Sequence, residues 1–125
     1  MNIQNIILIF VRFSHNQQKD THLEITKTPS DCANKDDIRM QIDLIDKEII
    51  ALFAMRFQYV CEIVKYKNDI ESIIAQDRKN QVIKERGEWA LKHGLDKETF
   101  EQIYRFLLEH NIGKELELLK GNEIG

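Results

Sequence analysis

One stripe of residues sets the terms for this chain: Ile38, Ile42, Ile45, Ile49, Leu52, Arg56, Val60, Ile63, Lys67 and Ile70. Its steps alternate between three and four residues, the pattern of a helix packed along one seam. Pro29 is the one proline in 125 residues, so nothing after it forbids helix. The spacing predicts a first helix over residues 36–68, with Thr28 capping and Pro29 at a first helical position just upstream. A helix of about 33 residues would be a rod of about 50 Å. A compact domain of this size has a radius of gyration of only about 14 Å. A lone copy would therefore leave the stripe exposed, and a homodimer with intertwined long helices is the economical expectation.

A break is expected around residues 69–76, then a second helix over 77–93 with Val82, Arg86, Trp89 and Ala90 on its inner side. Gly94 is a good stop after it. Asp96 can cap a third helix carrying Phe100, Ile103, Tyr104, Leu107, Leu108, Asn111, Ile112, Glu115 and Leu118 or Leu119. The expected fold class is all-α, with long, short and medium helices in that order. Residues 28–120 form the helical domain, 121–125 a tail, and 1–27 a poorly ordered or strand-like extension. The apolar run from Ile6 to Val11 in that extension is far shorter than the roughly 20 residues of a membrane span. No Lys or Arg precedes it, as one would in a secretory signal.

The partners and compartment follow from composition. A net charge of −3, with basic and acidic residues interspersed, gives no general attraction to nucleic acid. Cys32 and Cys61 make no CxxC pair and suit a reducing, cytoplasmic setting, and Cys61 reads as a small core residue. His15, His22, His93 and His110 lack the spacing of zinc ligands, so neither a metal nor a cofactor is expected.

The anomaly lies in charges at seam positions. Arg56 and Lys67 stand eleven residues apart, which at 100° per residue leaves them only about 20° apart around the helix. Glu115 is in step with Tyr104, Leu108 and Asn111, and Arg78 lies one turn before Val82. Burying an unpaired charge costs several kcal/mol. For one such residue, pairing with a surface acid or snorkelling to water would suffice. For four together it does not, because one glutamate cannot neutralise three or four cations. A small dicarboxylate held between helices would. Arg39, seventeen residues before Arg56, points to a different side of the helix and would reach such a pocket from a second copy. No Ser-His-Asp or Cys-His set, phosphate loop or carboxylate pair accompanies these cations. Such a pocket suits a reaction that needs only positioning and electrostatics.

At these residues the chain resembles the all-helical chorismate mutases. The likeness rests on IRMQIDLIDKEIIALFAMRFQYVCEIVKYK, from Ile38 to Lys67, with its Arg-Arg-Lys spacing. It continues through Asp77-Arg78, RGEWALKHGLD and the third helix to about Leu119. The resemblance implies a pericyclic rearrangement of chorismate to prephenate. Arg56 and the partner's Arg39 would hold the carboxylates, and Lys67 would donate to the ether oxygen, where charge grows. Arg78 would support the site, and Glu115 would be the second donor to that oxygen. A glutamate donates only when protonated. Activity is therefore expected to fall with rising pH, and Glu115→Gln to flatten the profile.

Two departures bear on the reaction. Many mutases carry an acidic pair in the loop and second helix, one member binding the ring hydroxyl; here Ala75 and Lys79 occupy those places. The opening Thr28-Pro29-Ser30-Asp31-Cys32 also resembles the isochorismate pyruvate-lyase branch, whose members eliminate pyruvate to leave salicylate. The expectation is a chorismate mutase first, a lyase second, and a non-catalytic helical dimer third. Trp89, Tyr59 and Tyr104 read as core, and Lys79 as an exposed neighbour of the site.

Overall fold

The computed structural model describes residues 25–124. The expected extension, with the Ile6–Val11 run, therefore falls almost wholly outside the described residues. Four α-helices are present: α1 (Lys35–Ile63), α2 (Ile70–Ile74), α3 (Gln76–Lys92) and α4 (Lys97–Ile124). Among the described residues there is no strand. The chain divides between Arg56 and Phe57, inside α1, into two compact units.

In the first unit, a segment from Ile25 to Asn34 precedes α1. Its 3-10 turn, Pro29–Asp31, has Thr28 as N-cap and Pro29 at the start, as expected. The Thr28 hydroxyl nevertheless binds the Asp31 carboxylate rather than a backbone amide. The long helix starts later, where the Asn34 side-chain amide oxygen Oδ1 accepts the Asp37 N–H at 2.9 Å. Asp36 and Asp37 in the first turn complement the helix dipole. Asp37 also accepts the Ala33 N–H at 3.0 Å and the Lys27 ammonium at 2.8 Å. The Lys27 bond holds the Asp37 carboxyl below its ordinary range, and the same bond raises Lys27. Gln41, buried, closes on Thr26 at both ends of its amide, accepting the Thr26 N–H at 3.2 Å and donating to its hydroxyl at 3.1 Å. Ile38, Ile42, Ile45 and Ile49 are each between 37% and 49% exposed.

The second unit carries its own core. α1 ends at Ile63, before the expected residue 68, and passes through a 3-10 turn, Val64–Tyr66, into an extended Lys67. The expected break contains the short helix α2. Asp69 caps it, accepting the Ser72 N–H at 2.8 Å while the Ser72 side chain returns to the Asp69 N–H. One residue, Ala75, joins α2 to α3 at φ 39°, a left-handed conformation that costs a side-chain-bearing residue about 1–2 kcal/mol. α3 ends in a Schellman motif: the Leu95 N–H returns to the Ala90 carbonyl at 2.9 Å and the Gly94 N–H to Leu91 at 3.0 Å. Gly94 takes φ 75°, a conformation that glycine adopts without a Cβ penalty. Asp96 then caps α4, accepting the Thr99 N–H at 2.9 Å.

Val82, Ile83, Gly87 and Ala90 form the packed face of α3, with Ile73 and Val64 also buried. α4 packs against α3 so closely that a Cβ at Gly87 would lie 2.6 Å from Glu101 Cγ. Three sequence expectations are corrected here. α4 is 28 residues long, not medium, and runs through the residues expected as a tail to Ile124. Trp89 and Tyr59 are exposed, not core; Trp89 follows the phase of Val82 but lies about 100° from the middle of the face that Val82, Ile83, Gly87 and Ala90 bury, and so at its margin. Cys61 and Tyr104 are half-buried.

Candidate functional site

The centre of the site is an ion pair inside the second unit. The 3-10 turn ends α1 and leaves Lys67 extended (φ −112°, ψ 122°), its N–H returning to the Val64 carbonyl at 3.0 Å. From there the ammonium donates to Glu115 Oε1 on α4 at 2.9 Å. The Lys67 side chain is 19% exposed and that of Glu115 7%. Burial on this scale excludes most solvent screening, so the attraction is far stronger than in a surface pair. One turn earlier on α4, Asn111 is also buried. Lys67, Asn111 and Glu115 thus make a polar patch against an otherwise apolar core.

Of the five residues singled out from sequence, the structure brings together Lys67 and Glu115. Arg56 is half-buried on α1. Arg39 is exposed, with Asp36 3.9 Å away. Arg78 is exposed too, donating to the Gln81 side-chain carbonyl at 3.2 Å, which differs from the inward placement its phase with Val82 implied. The reason is that Ile83 shares the packed face with Val82. One turn before Ile83 stands Lys79, and Lys79 is the inward cation: its side chain is 17% exposed and donates to Glu109 at 3.2 Å. Lys79 is therefore not the exposed bystander expected from sequence.

Two further features escaped the sequence reading. Asn111 was counted as one position in an apolar stripe, although an amide there is as anomalous as Glu115. Arg86 lies over the Trp89 ring, 4.4 Å from its centroid, and 5.9 Å from that of Tyr104. That cation–π contact gives the half-exposed indole a partner without burying it. Among the described residues no cluster of His, Cys, Asp or Glu is suited to a metal ion, and no helix is long and apolar enough to cross a membrane.

What this arrangement can do is hold a cation in a poorly solvated place, ready to meet charge that grows on an oxygen. An all-helical chain with such a lysine, backed by an acid on the last helix, fits one class of enzyme closely. A family model for chorismate mutase type II matches residues 38–116. A curated protein of Pseudomonas aeruginosa, an isochorismate pyruvate lyase, is 32% identical over 90 residues, spanning 72% of this chain and 89% of that protein. The chain belongs to the type II chorismate mutase family and is an enzyme.

Proposed function

We propose that the chain removes pyruvate from isochorismate to leave salicylate, with the rearrangement of chorismate to prephenate as the second reading. The observation that carries the common chemistry is the Lys67–Glu115 pair, a cation held at 2.9 Å in a largely buried place. In both reactions the ether C–O bond breaks and negative charge grows on its oxygen. Lys67 donates there. In the elimination, that bond breaks and one ring hydrogen passes to the enolpyruvyl fragment. The ring becomes aromatic and the fragment leaves as pyruvate; atoms and electrons balance without an added oxidant or cofactor.

Three points favour the elimination, reversing the order expected from sequence. The curated relative that spans most of this chain carries the lyase name. Ala75 offers only a methyl group where many mutases have an acid. Lys79, at the other such position, is engaged with Glu109. The other roles implied by the resemblance belong to the same proposal. Arg56 and the partner subunit's Arg39 hold the carboxylates, Arg78 supports the site, and Glu115 orients Lys67 or, when protonated, donates beside it. The exposed isoleucines of α1 support a homodimer, and the free thiols Cys32 and Cys61 support a cytoplasmic setting.

The test is incubation of the purified protein with each isomer separately, with products identified by chromatography and mass. Salicylate and pyruvate from isochorismate, with at most minor prephenate from chorismate, is the expected result. Efficient prephenate formation without salicylate would move the protein to the second reading. A folded dimer that made neither product would be a non-catalytic module.

A further inference from the structure

We propose that Gln41 is a positioning residue: it ties the segment Ile25–Asn34 to α1 and so fixes the bearing of Arg39, an inference that rests on the role given to Arg39 above. Gln41 is 8% exposed, and Ile38, Ile42 and Ile45 all lie within about one turn of it. An apolar side chain among them would carry no cost of withdrawing an amide from water. Both ends of the amide are spent on one residue, accepting the Thr26 N–H at 3.2 Å and donating to its hydroxyl at 3.1 Å. The amide serves to hold that segment.

Apolar packing does not hold it. A cavity of about 570 Å³ lies between the segment and α1, with Pro29 and Cys32 on one wall and Ile38, Ile42 and Ile45 on the other. Across it the attachment is polar and falls at two places on the helix. Asp37 takes the Lys27 ammonium and the Ala33 N–H, and Gln41 takes Thr26. These two anchors are four residues apart and share one face, about 40° from each other. Arg39 stands midway between them in the chain and points about 160° away from each. Its side chain is 67% exposed, with Asp36 at 3.9 Å. The helix is thus gripped from behind, on both sides of the residue whose guanidinium is to meet a carboxylate in a second copy. Arg39 is the fifth residue of α1, and the first turns of a helix fray where their end is not held. A backbone fixed in advance lets the guanidinium bind without first being ordered.

The experiment is a double-mutant cycle on the full chain. kcat and KM are measured, for the isomer that the wild type turns over, in Gln41→Leu, Thr26→Val and Thr26→Ser, each made in the wild type and in Arg39→Ala. Circular dichroism and a thermal melt check the fold, and Thr26→Val, at an exposed residue, is the safeguard should Gln41→Leu disturb it. The carboxylate that Arg39 holds is present in ground state and transition state alike, so loosening the grip raises KM and leaves kcat in place. A misplacement of about 1 Å can cost about 10²-fold; Gln41→Leu and Thr26→Val, which loosen Arg39 without removing it, raise KM by about tenfold. Thr26→Ser keeps the hydroxyl and with it the wild-type KM. In Arg39→Ala, neither Gln41→Leu nor Thr26→Val raises KM further. Equal losses in both backgrounds, or a loss in kcat alone, would overturn the inference and leave the proposed reaction intact. A wild type that acts on neither isomer would overturn both.

Discussion

The two units of this chain use hydrophobic residues in opposite ways. Up to Arg56, α1 buries only Gln41 and Met55, while four isoleucines at helical spacing stay substantially exposed. Beyond it, Val64, Ile73, Val82, Ile83 and Ala90 are each at most 5% exposed, and the same unit holds a buried acid, Glu115, and a buried amide, Asn111. The first unit keeps an apolar stripe at its surface; the second has a core with polar groups inside it. Polar groups survive burial where chemistry requires them, and apolar groups survive exposure where another surface covers them.

The sharpest way to break this comparison is to make the second unit purely apolar. The double variant Lys67→Met/Glu115→Leu is expected to fold with stability kept or raised by about 1–4 kcal/mol, because a buried ion pair seldom outdoes packed side chains. Activity is expected to fall by at least about 10²–10³-fold, the scale of losing one preorganised donor. Urea titration and product assays check both. Loss of folding with activity proportional to the folded fraction would make the pair structural.

Next in size is the first unit. Ile42→Glu with Ile45→Glu places two charges on the exposed stripe and is expected to convert a dimer to a monomer, read by light scattering coupled to size exclusion. A dimer that survived both charges would mean the stripe is not the interface.

A smaller effect concerns acid stability. The Thr99 hydroxyl, then its N–H, holds the Asp96 carboxyl below its ordinary range. A folded-state value below the unfolded one means the cap contributes above the ordinary aspartate range and loses that contribution as pH falls through the folded value. Asp96→Asn keeps a cap but not the titration, so its melting temperature should fall less than the wild type's on acidification. Parallel pH curves would remove Asp96 from the acid response.

The smallest is at Gly87. Alanine gains about 1 kcal/mol of helix propensity. It also displaces the Glu101 side chain from 2.6 Å, at a rotamer cost of about 0.5–1.5 kcal/mol. Gly87→Ala alone should be near neutral, and adding Glu101→Ala should reveal the gain in a thermal melt.

Much of this was legible in the residues. The stripe of α1, the Gly94 stop and the Asp96 cap follow from helical phase and local capping chemistry, whereas Lys67 meets Glu115 from an extended residue beyond the end of α1. The full length of α4 was not legible. Glycine costs a helix only about 1 kcal/mol, too little to stop one by itself, and neither Gly113 nor Gly121 ends α4. The helix α2 was missed because five residues give no measurable periodicity, although Asp69 and Ser72 carry a capping signature. Arg78 was misplaced because phase fixes which residues share a face, whereas the boundary of the buried face depends on what packs there. One residue's rotation hands the inward position to Lys79.

The joint at Ala75 has a consequence for how such a chain can change over time. A single residue ends α2 and begins α3. Deleting or inserting one residue there would turn everything that follows by about 100°. Lys79, Ile83 and Gly87 would leave the face that meets α4 together, and no side-chain substitution could bring them back. A substitution on the exposed side of α3 leaves this register intact, whereas a gain or loss of length at the joint does not. The spacing between Asp69 and Ile83 is therefore a heritable gauge, set by one strained alanine.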